Sequence, residues 1–278
     1  MIKLISMKYI TIMLLFFNFG CYNIPEETNP KHDIRIYPDN YMELIKAIEK
    51  EDIAKIATIV KEDKLELNFA DSTHGISLLN WCIFNNRIKS FEQLLKLGAN
   101  PNWQDKDGKY APVIILAAGN SLDYLKLTLQ FNGNPNLIPK KLEDGCTHNS
   151  PLLCAIFNGW EKNVKLLVEH GADVNLMPSP YCCPTAKAMI YDQMNIAKYL
   201  LDKGADVDKI KTTLIDSTVK DVCYILRLLE YPLNSDEYKI KMEIVNMIKE
   251  KGYDYWTAPI PIDIKDKYKD DPNYLNKY

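Results

Sequence analysis

The stretch "KNVKLLVEHGADVN", residues 162–175, joins an amphipathic helix pattern to a glycine that ends it. Val164, Leu167 and Val168 recur at spacings of three and one, which place them on one face of a helix. Gly171 follows the last turn, where glycine readily adopts the left-handed conformation that stops a helix. The stretch therefore predicts a helix that is followed by a tight polar tail.

The tail recurs along the chain. Five copies finish in an asparagine or aspartate, at Asn68, Asn102, Asn136, Asn175 and Asp208. Successive ends are 34, 34, 39 and 33 residues apart, and "KGYDYW", from Lys251, is a degenerate later copy. A fixed period of this length indicates stacked copies of one supersecondary unit, each too small to bury its apolar face alone.

A second helix pattern precedes the amphipathic one in each of four copies. These helix starts lie at Ser77, Ala111, Ser150 and Cys183. In "SPLLCAIFNG", from Ser150, the serine can accept a hydrogen bond from an otherwise unpaired N–H group. Pro151 removes another such group. The pattern predicts a helix–turn–helix in every copy.

These starts and tails resemble the ankyrin repeat, a unit of about 33 residues with a T-P-L-H-x-A start. The resemblance covers residues 41–256 as six copies, with 41–68 as a capping repeat and 212–256 as a longer, divergent one. The family's histidine is replaced by Asn80, Ile114, Leu153 and Ala186. The resemblance implies an all-α solenoid with β-turn or hairpin fingers, and its usual work is protein binding.

The N-terminal residues have the pattern of a targeting segment. Lys3 and Lys8 lead into an apolar run, residues 9–19, that is shorter than the ~20 residues of a membrane span and suits a secretory signal. Gly20 and Cys21 resemble the end of a bacterial lipoprotein signal, in which the chain is cut before a cysteine that is then acylated. Asn18 and Phe19 depart from that motif, so a plain secretory signal and a buried helix are the alternatives.

The remaining boundaries follow from proline content. Residues 1–20 are the expected signal peptide, and 21–40, with Pro25, Pro30 and Pro38, read as an extended tether. Residues 41–256 form the repeat domain. The extension 257–278 either caps the last repeat or binds a partner as an extended strand.

Composition and motifs argue against catalysis and nucleic-acid binding. The net charge is −3, so the chain has no general attraction for nucleic acid. No catalytic, nucleotide-binding or zinc-ligand motif occurs, so no enzyme activity, cofactor or metal is expected. Asp173 and Asp206 are expected to be turn formers.

The cysteines divide into several expected roles. Cys82 and Cys154 are expected to be core thiols, whereas Cys146 lies in a loop and is the better candidate for reactivity or a disulfide. Of the adjacent pair Cys182–Cys183, one thiol is expected to point inward and one outward.

Three fingers carry candidate partner-binding residues. The 102–112 finger has Trp103, Lys106 and Tyr110; the 136–150 finger, longer than its peers, has Lys140 and Lys141; the 175–184 finger has Met177 and Tyr181. Extra loop length on one face often marks a binding site. The alternative is that Trp103 and Tyr181 only pack neighbouring fingers.

The resulting hypothesis is a monomeric lipoprotein of the bacterial cell envelope, anchored to the membrane through Cys21 and facing the periplasm. Lipoproteins of this build resemble immunity proteins that bind and inhibit a toxic effector, for example a type VI secretion phospholipase. An envelope scaffold or assembly factor and a surface-displayed host-interaction factor are the alternatives.

Overall fold

The computed structural model describes residues 34–106, 108, 111–141, 149–213 and 219–278. The predicted signal peptide, Cys21, Tyr110 and Cys146 lie outside these residues. The chain divides into two compact units, residues 1–133 and 134–278. Among the described residues, no helix is both long enough and apolar enough to cross a membrane.

The first unit contains three helix pairs. They are α1 (Met42–Glu49) with α2 (Ile53–Glu62), α3 (Leu78–Phe84) with α4 (Ile88–Lys96), and α5 (Val113–Ala118) with α6 (Leu122–Gln130). Helix α3 packs on α5, whereas α4 packs on both α2 and α6. First helices thus stack on first helices and second on second, and every residue of α5 is buried between them. The repeat predicted from the sequence is confirmed.

The second unit continues the pairing and adds a C-terminal segment. Its pairs are α7 (Pro151–Phe157) with α8 (Glu161–Glu169), α9 (Pro184–Ile190) with α10 (Met194–Asp202), and α11 (Val222–Leu228) with α12 (Asp236–Lys249). Strands β1 (Thr212–Thr213) and β2 (Val219–Lys220) pair antiparallel before α11, with Thr212 opposite Lys220. Helices α13 (Ile262–Lys267) and α14 (Pro272–Lys277) follow the last pair.

The serine starts act as predicted. Ser77 Oγ accepts from the Asn80 N–H at 3.1 Å, and Ser150 Oγ accepts from the Leu153 N–H at 3.2 Å. Pro151 lies in the first turn of α7, where its missing N–H costs nothing. Helix α5 differs, because it begins after Pro112 without a side-chain cap.

The helix-ending glycines also take the predicted conformation, with one exception. Gly98, Gly171 and Gly204 have φ of 100°, 86° and 89°. In the third copy Asn132 takes the left-handed position, with φ of 66°. Gly133 follows it, and a Cβ there would lie 2.7 Å from the Thr128 carbonyl oxygen. That glycine is therefore required for close packing.

The segment 21–40 was expected to be tether throughout, and the structure corrects its end. Residues Ile34–Ile36 and Asp39–Tyr41 form short 3-10 helices. Tyr37 between them is buried, and its hydroxyl donates to the Ile76 carbonyl oxygen at 3.1 Å. Its ring packs edge to face against the Trp81 ring, with the two ring centroids 5.5 Å apart. Among the described residues, the folded region thus includes Tyr37 as a buried contact with the first repeats.

The C-terminal extension is helical and packs on the last repeat, and within 257–278 the structure has no strand. Ile264, Tyr274 and Tyr278 form a buried cluster. Arg227 on α11 is 2% exposed and donates to the carbonyl oxygens of Tyr278 and Tyr255. The extension therefore covers a buried cation as well as apolar surface.

Candidate partner-binding surface

The base of each finger is a turn that an asparagine or aspartate closes. Each of four side chains accepts a hydrogen bond at 2.8–3.0 Å from the N–H two residues later; they are Asn100, Asn134, Asp173 and Asp206. Such side chains favour turns because they imitate a backbone acceptor. The structural role predicted for Asp173 and Asp206 is confirmed.

The asparagine that ends each tail links its repeat to the next. Asn136 Nδ2 donates to the Gly171 carbonyl oxygen at 2.8 Å, and Asn136 Oδ1 accepts from the Asp173 N–H at 2.7 Å. Asn175 repeats both bonds, donating to the Gly204 carbonyl oxygen at 3.1 Å and accepting from the Asp206 N–H at 2.7 Å. These paired hydrogen bonds to the next repeat are a physical reason why the asparagine recurs at the same position in the tails.

Links of the same kind occur in the first unit. Asn68 Oδ1 accepts from the Asn100 N–H at 2.8 Å, and Asn102 Nδ2 donates to the Asn132 carbonyl oxygen at 2.9 Å. We call these inter-repeat contacts of Asn68, Asn102, Asn136 and Asn175 the asparagine ladder. The ladder fixes the bases of neighbouring fingers, so their tips project from a rigid support.

The 102–112 finger presents less free surface than the sequence suggested. The N–H of Trp103 donates to the Asn100 carbonyl oxygen at 3.0 Å, and its own carbonyl accepts from the Val113 N–H at 3.1 Å. The Trp103 side chain is half-buried and Lys106 is exposed. The Trp103 side chain is therefore only partly accessible, and its part in partner binding stays a prediction.

The 136–150 finger has exposed cations beside an exposed apolar residue. Lys140 and Lys141 are exposed, and Ile138 is 43% exposed, whereas its neighbour Leu137 is buried. Sequence reasoning missed Ile138. It stands in a finger outside any helical period, and that position alone could have signalled an exposed apolar side chain.

The 175–184 finger carries the most exposed of the predicted aromatic residues whose side chains are described. Tyr181 is 66% exposed, and Met177 is half-buried. Lys140, Lys141, Met177 and Tyr181 belong to adjacent fingers of the second unit, joined by the Asn136 ladder bonds.

The expectation for the Cys182–Cys183 pair was wrong, because both side chains are buried. Cys182 is disulfide-bonded, packs with Leu153, and has its Sγ 2.9 Å from Ser179 Oγ. Cys183 is a free thiol. Within this finger, the Cys182 side chain is thus buried, whereas the side chain of its neighbour Tyr181 is exposed.

The described thiols and acids are poorly suited to catalysis. Burial raises the pKa of Cys82 and of Cys183, and it raises the pKa of Cys223 to about 11, so these thiols stay protonated near neutral pH. His74 Nδ1 lies 3.1 Å from Asp71 Oδ1, but that carboxylate is engaged by the N–H groups of its own turn.

The predicted core positions of Cys82 and Cys154 are confirmed, since both side chains are buried. Within the described part of the chain, no group of three or more His, Cys, Asp or Glu side chains could hold a metal ion. The fingers thus combine hydrogen-bonded bases with exposed cations and exposed apolar side chains.

Comparison with known proteins agrees with this geometry. The family model for ankyrin repeats, in three copies, matches residues 79–177 and 114–211. An ankyrin repeat domain from Acinetobacter baumannii has a similar crystal structure, with a TM-score of 0.56, 21% identity, and coverage of 77% of this chain and 99% of that one. The chain therefore has the all-α ankyrin-repeat fold, and the interpretation of its period is confirmed.

Curated relatives are longer and only partly matched. An ankyrin repeat protein of fowlpox virus is 26% identical over 169 residues, covering 60% of this chain and 36% of that protein. One from Rickettsia felis is 27% identical over 124 residues, covering 45% and 39%. The chain thus spans well under half the length of these relatives. Ankyrin repeats of this kind are protein-binding scaffolds and are generally not enzymes.

Proposed function

We propose that the second unit binds a protein partner through the tips of its 136–150 and 175–184 fingers. The observation that carries the proposal is Tyr181, 66% exposed on a finger whose base is held by ladder bonds on both sides. Exposed aromatic side chains on a rigid support are favoured anchors of protein interfaces, because little conformational entropy is lost when they are buried. Lys140 and Lys141 supply charge beside that anchor.

The partner is a toxic effector, and this chain is an envelope-anchored immunity protein that inhibits it. The lipoprotein-like "FGC" at residues 19–21 supports attachment at Cys21, with the chain facing the periplasm. A phospholipase delivered by type VI secretion is the effector class that this location would meet. An envelope scaffold and a host-interaction factor are the outcomes that the tests below separate from immunity.

Lipid attachment is tested by metabolic labelling with a fatty acid in a bacterial host. The wild-type chain is expected to take up label and Cys21→Ala to take up none. Cys146→Ala is the matched control, because it removes a different cysteine and is expected to keep full labelling. Equal labelling of the wild type and Cys21→Ala would refute the anchor.

Partner binding is tested by capture of an effector encoded beside this chain. Tyr181→Ala is expected to weaken capture at least ten-fold, because truncation of a hot-spot aromatic side chain costs about 2 kcal/mol or more. Trp160→Ala is the control: this tryptophan is 43% exposed, yet it precedes α8 and is separated from the fingers by that helix. Undiminished capture by Tyr181→Ala would move the site off this finger.

Immunity itself needs a cellular measurement. Cells that express the effector in the periplasm are expected to survive with the wild-type chain and to die with the finger variant. Capture without protection would contradict immunity and favour the scaffold, whereas binding to a host protein in its place would favour the host-interaction factor.

A further inference from the structure

Helix α9 has one solvent-facing stripe, and that stripe carries a charge. Of residues 184–191, which form α9 and its C-terminal cap, all are buried except Lys187, Ile190 and Tyr191. Their spacings of three and four residues place them on one face of the helix. The equivalent helices α3, α5 and α7 contain no charged residue. Lys187 is therefore a charge at a place where the three preceding first helices have none.

The Lys187 ammonium lacks a counter-charge. The side chain is half-buried, and among the described residues its ammonium makes no ion pair or hydrogen bond. Its Nζ atom still reaches solvent, so a ligand can contact it. Burial alone lowers the pKa of this group, whereas Lys165 and Lys198 on the second helices pair with acids four residues away. A partly desolvated charge without a partner costs free energy, which an incoming carboxylate would recover.

An aromatic pair from two neighbouring repeats belongs to the same surface. Tyr191 follows Lys187 by one helical turn, and its ring packs edge to face against the Phe157 ring at the end of α7, with the ring centroids 5.7 Å apart. Both aromatic side chains are half-buried, and Ile190 is 36% exposed. We give the name α9 patch to four residues: Phe157, Lys187, Ile190 and Tyr191. The patch combines one unpaired cation with accessible aromatic surface, which is enriched at protein interfaces.

We propose that the α9 patch docks an acidic segment of the protein partner, with a carboxylate on Lys187 and an apolar side chain on the rest of the patch. The inference rests on the proposed function and adds the chemistry of the partner. Tyr181 lies six residues before Lys187, a distance that an extended backbone spans in at most about 22 Å, so one partner can contact both. A basic side chain opposite Lys187 would bring two like charges together, so charge complementarity selects an acidic segment.

The patch is tested first without an effector, using the blocked peptide acetyl-Glu-Leu-Glu-Phe-Glu-Leu-amide. The full-length chain is reductively methylated with isotope-labelled formaldehyde, NMR follows the dimethyl-lysine signals, and Lys187→Arg identifies the signal of Lys187. The acidic peptide is expected to move that signal, and a peptide with glutamine in place of each glutamate is expected to leave it unmoved. Lys162, exposed in the first turn of α8, is the control lysine. An unmoved Lys187 signal, or an equal shift at Lys162 or with the glutamine peptide, would overturn the proposal.

Capture of the effector encoded beside this chain gives a second measurement. Lys187→Met removes the charge and keeps an apolar stem, so it is expected to weaken capture at least ten-fold, whereas Lys187→Arg should retain most of it. Lys162→Met is the matched control and is expected to bind like the wild type. Full capture by Lys187→Met beside weakened capture by Tyr181→Ala would overturn the role of the α9 patch and leave the proposed function standing. A Lys187 signal that moves with the acidic peptide, in a protein that captures no effector, would count against the proposed function alone.

Discussion

The repeat tails and the C-terminal segment hold the second unit together by opposite means. In the tails, amides such as Asn136 and Asn175 bond backbone groups of the next repeat near solvent. Where the C-terminal segment packs on the last repeat, two basic side chains of that repeat, Arg227 and Lys241, are buried against carbonyl oxygens and aromatic rings. The first arrangement recurs with the repeat, and the second occurs once.

The difference between these two arrangements indicates which contacts contribute most to the stability of the second unit. A ladder bond is one of several equivalent links, and water can replace it when it breaks. Arg227 bonds the Tyr278 carbonyl oxygen 51 residues away, and Lys241 Nζ lies 3.9 Å from the centre of the Tyr278 ring. Removal of a buried basic side chain leaves its carbonyl acceptors without a donor and opens a gap between the last repeat and the C-terminal segment. Larger losses in the free energy of unfolding are therefore expected there than in the ladder.

Arg227→Ala is expected to have the largest effect. It removes donors to the Tyr255 and Tyr278 carbonyl oxygens and a guanidinium 4.0 Å from the centre of the Tyr255 ring. The free energy of unfolding should fall by about 3–5 kcal/mol. Urea unfolding measures the loss, and hydrogen exchange should show lost protection in 255–278.

Arg87→Ala is the control for that measurement. Arg87 Nη2 pairs with Glu49 Oε2 at 3.0 Å, and both side chains are partly exposed, so about 1 kcal/mol or less is at stake. If Arg227→Ala and Arg87→Ala lowered the free energy of unfolding equally, burial would not determine how much each arginine contributes. The distinction between the buried contacts and the ladder bonds would then not hold.

Lys241→Met should change how stability depends on pH. Burial, with a smaller contribution from the Arg227 guanidinium, lowers the pKa of Lys241 to about 7, whereas the unfolded chain keeps the ordinary value of about 10.4. Between these values the unfolded chain binds the proton and the folded one does not, so this lysine contributes more stability as the pH rises. From pH 7 to pH 9 the free energy of unfolding of the wild type, relative to that of Lys241→Met, should rise by about 2 kcal/mol. The comparison with the variant is needed because the buried thiols, whose pKa values are raised, contribute in the opposite direction in both proteins.

Lys249→Met is the matched control for Lys241, because it lies on the same helix and is exposed. It is expected to keep the rise with pH. The nearby tyrosines do not interfere, since burial raises the pKa values of Tyr255 and Tyr278 well above this window. If the wild type and Lys241→Met showed the same dependence of stability on pH from 7 to 9, Lys241 would stay charged when buried.

The contrast also explains what the sequence could predict. The helix pairs, the serine caps and the turn-forming Asp173 were predictable, because each depends on neighbours within a few residues and recurs with the period. The burial of Tyr37 and Arg227 was not, because their partners lie 28 to 51 residues away and have no repeated counterpart. Of the candidate site, Tyr181 was placed correctly on the surface, whereas the inward turn of Cys182 depends on packing with Leu153 that no local pattern records.

Asn175→Ala tests the ladder directly. It deletes the donor to the Gly204 carbonyl oxygen and the acceptor for the Asp206 N–H, and a loss of about 1–2 kcal/mol is expected in urea unfolding. Asn175→Asp keeps the acceptor and should recover part of the loss. If the aspartate and alanine variants were equally unstable, the donor bond alone would carry the link.

Tyr181→Ala should have the smallest effect on stability, within about 0.5 kcal/mol, because surface substitutions without buried contacts rarely exceed that range. Its 66% exposure leaves little to lose on truncation. Trp103→Ala provides the comparison: this side chain is half-buried, so its removal should lower the Tm measurably. A stability loss for Tyr181→Ala as large as that for Trp103→Ala would make Tyr181 a packing residue. A normal Tm with weakened capture would instead separate the finger tip, which binds, from the ladder beneath it, which holds the tip in place.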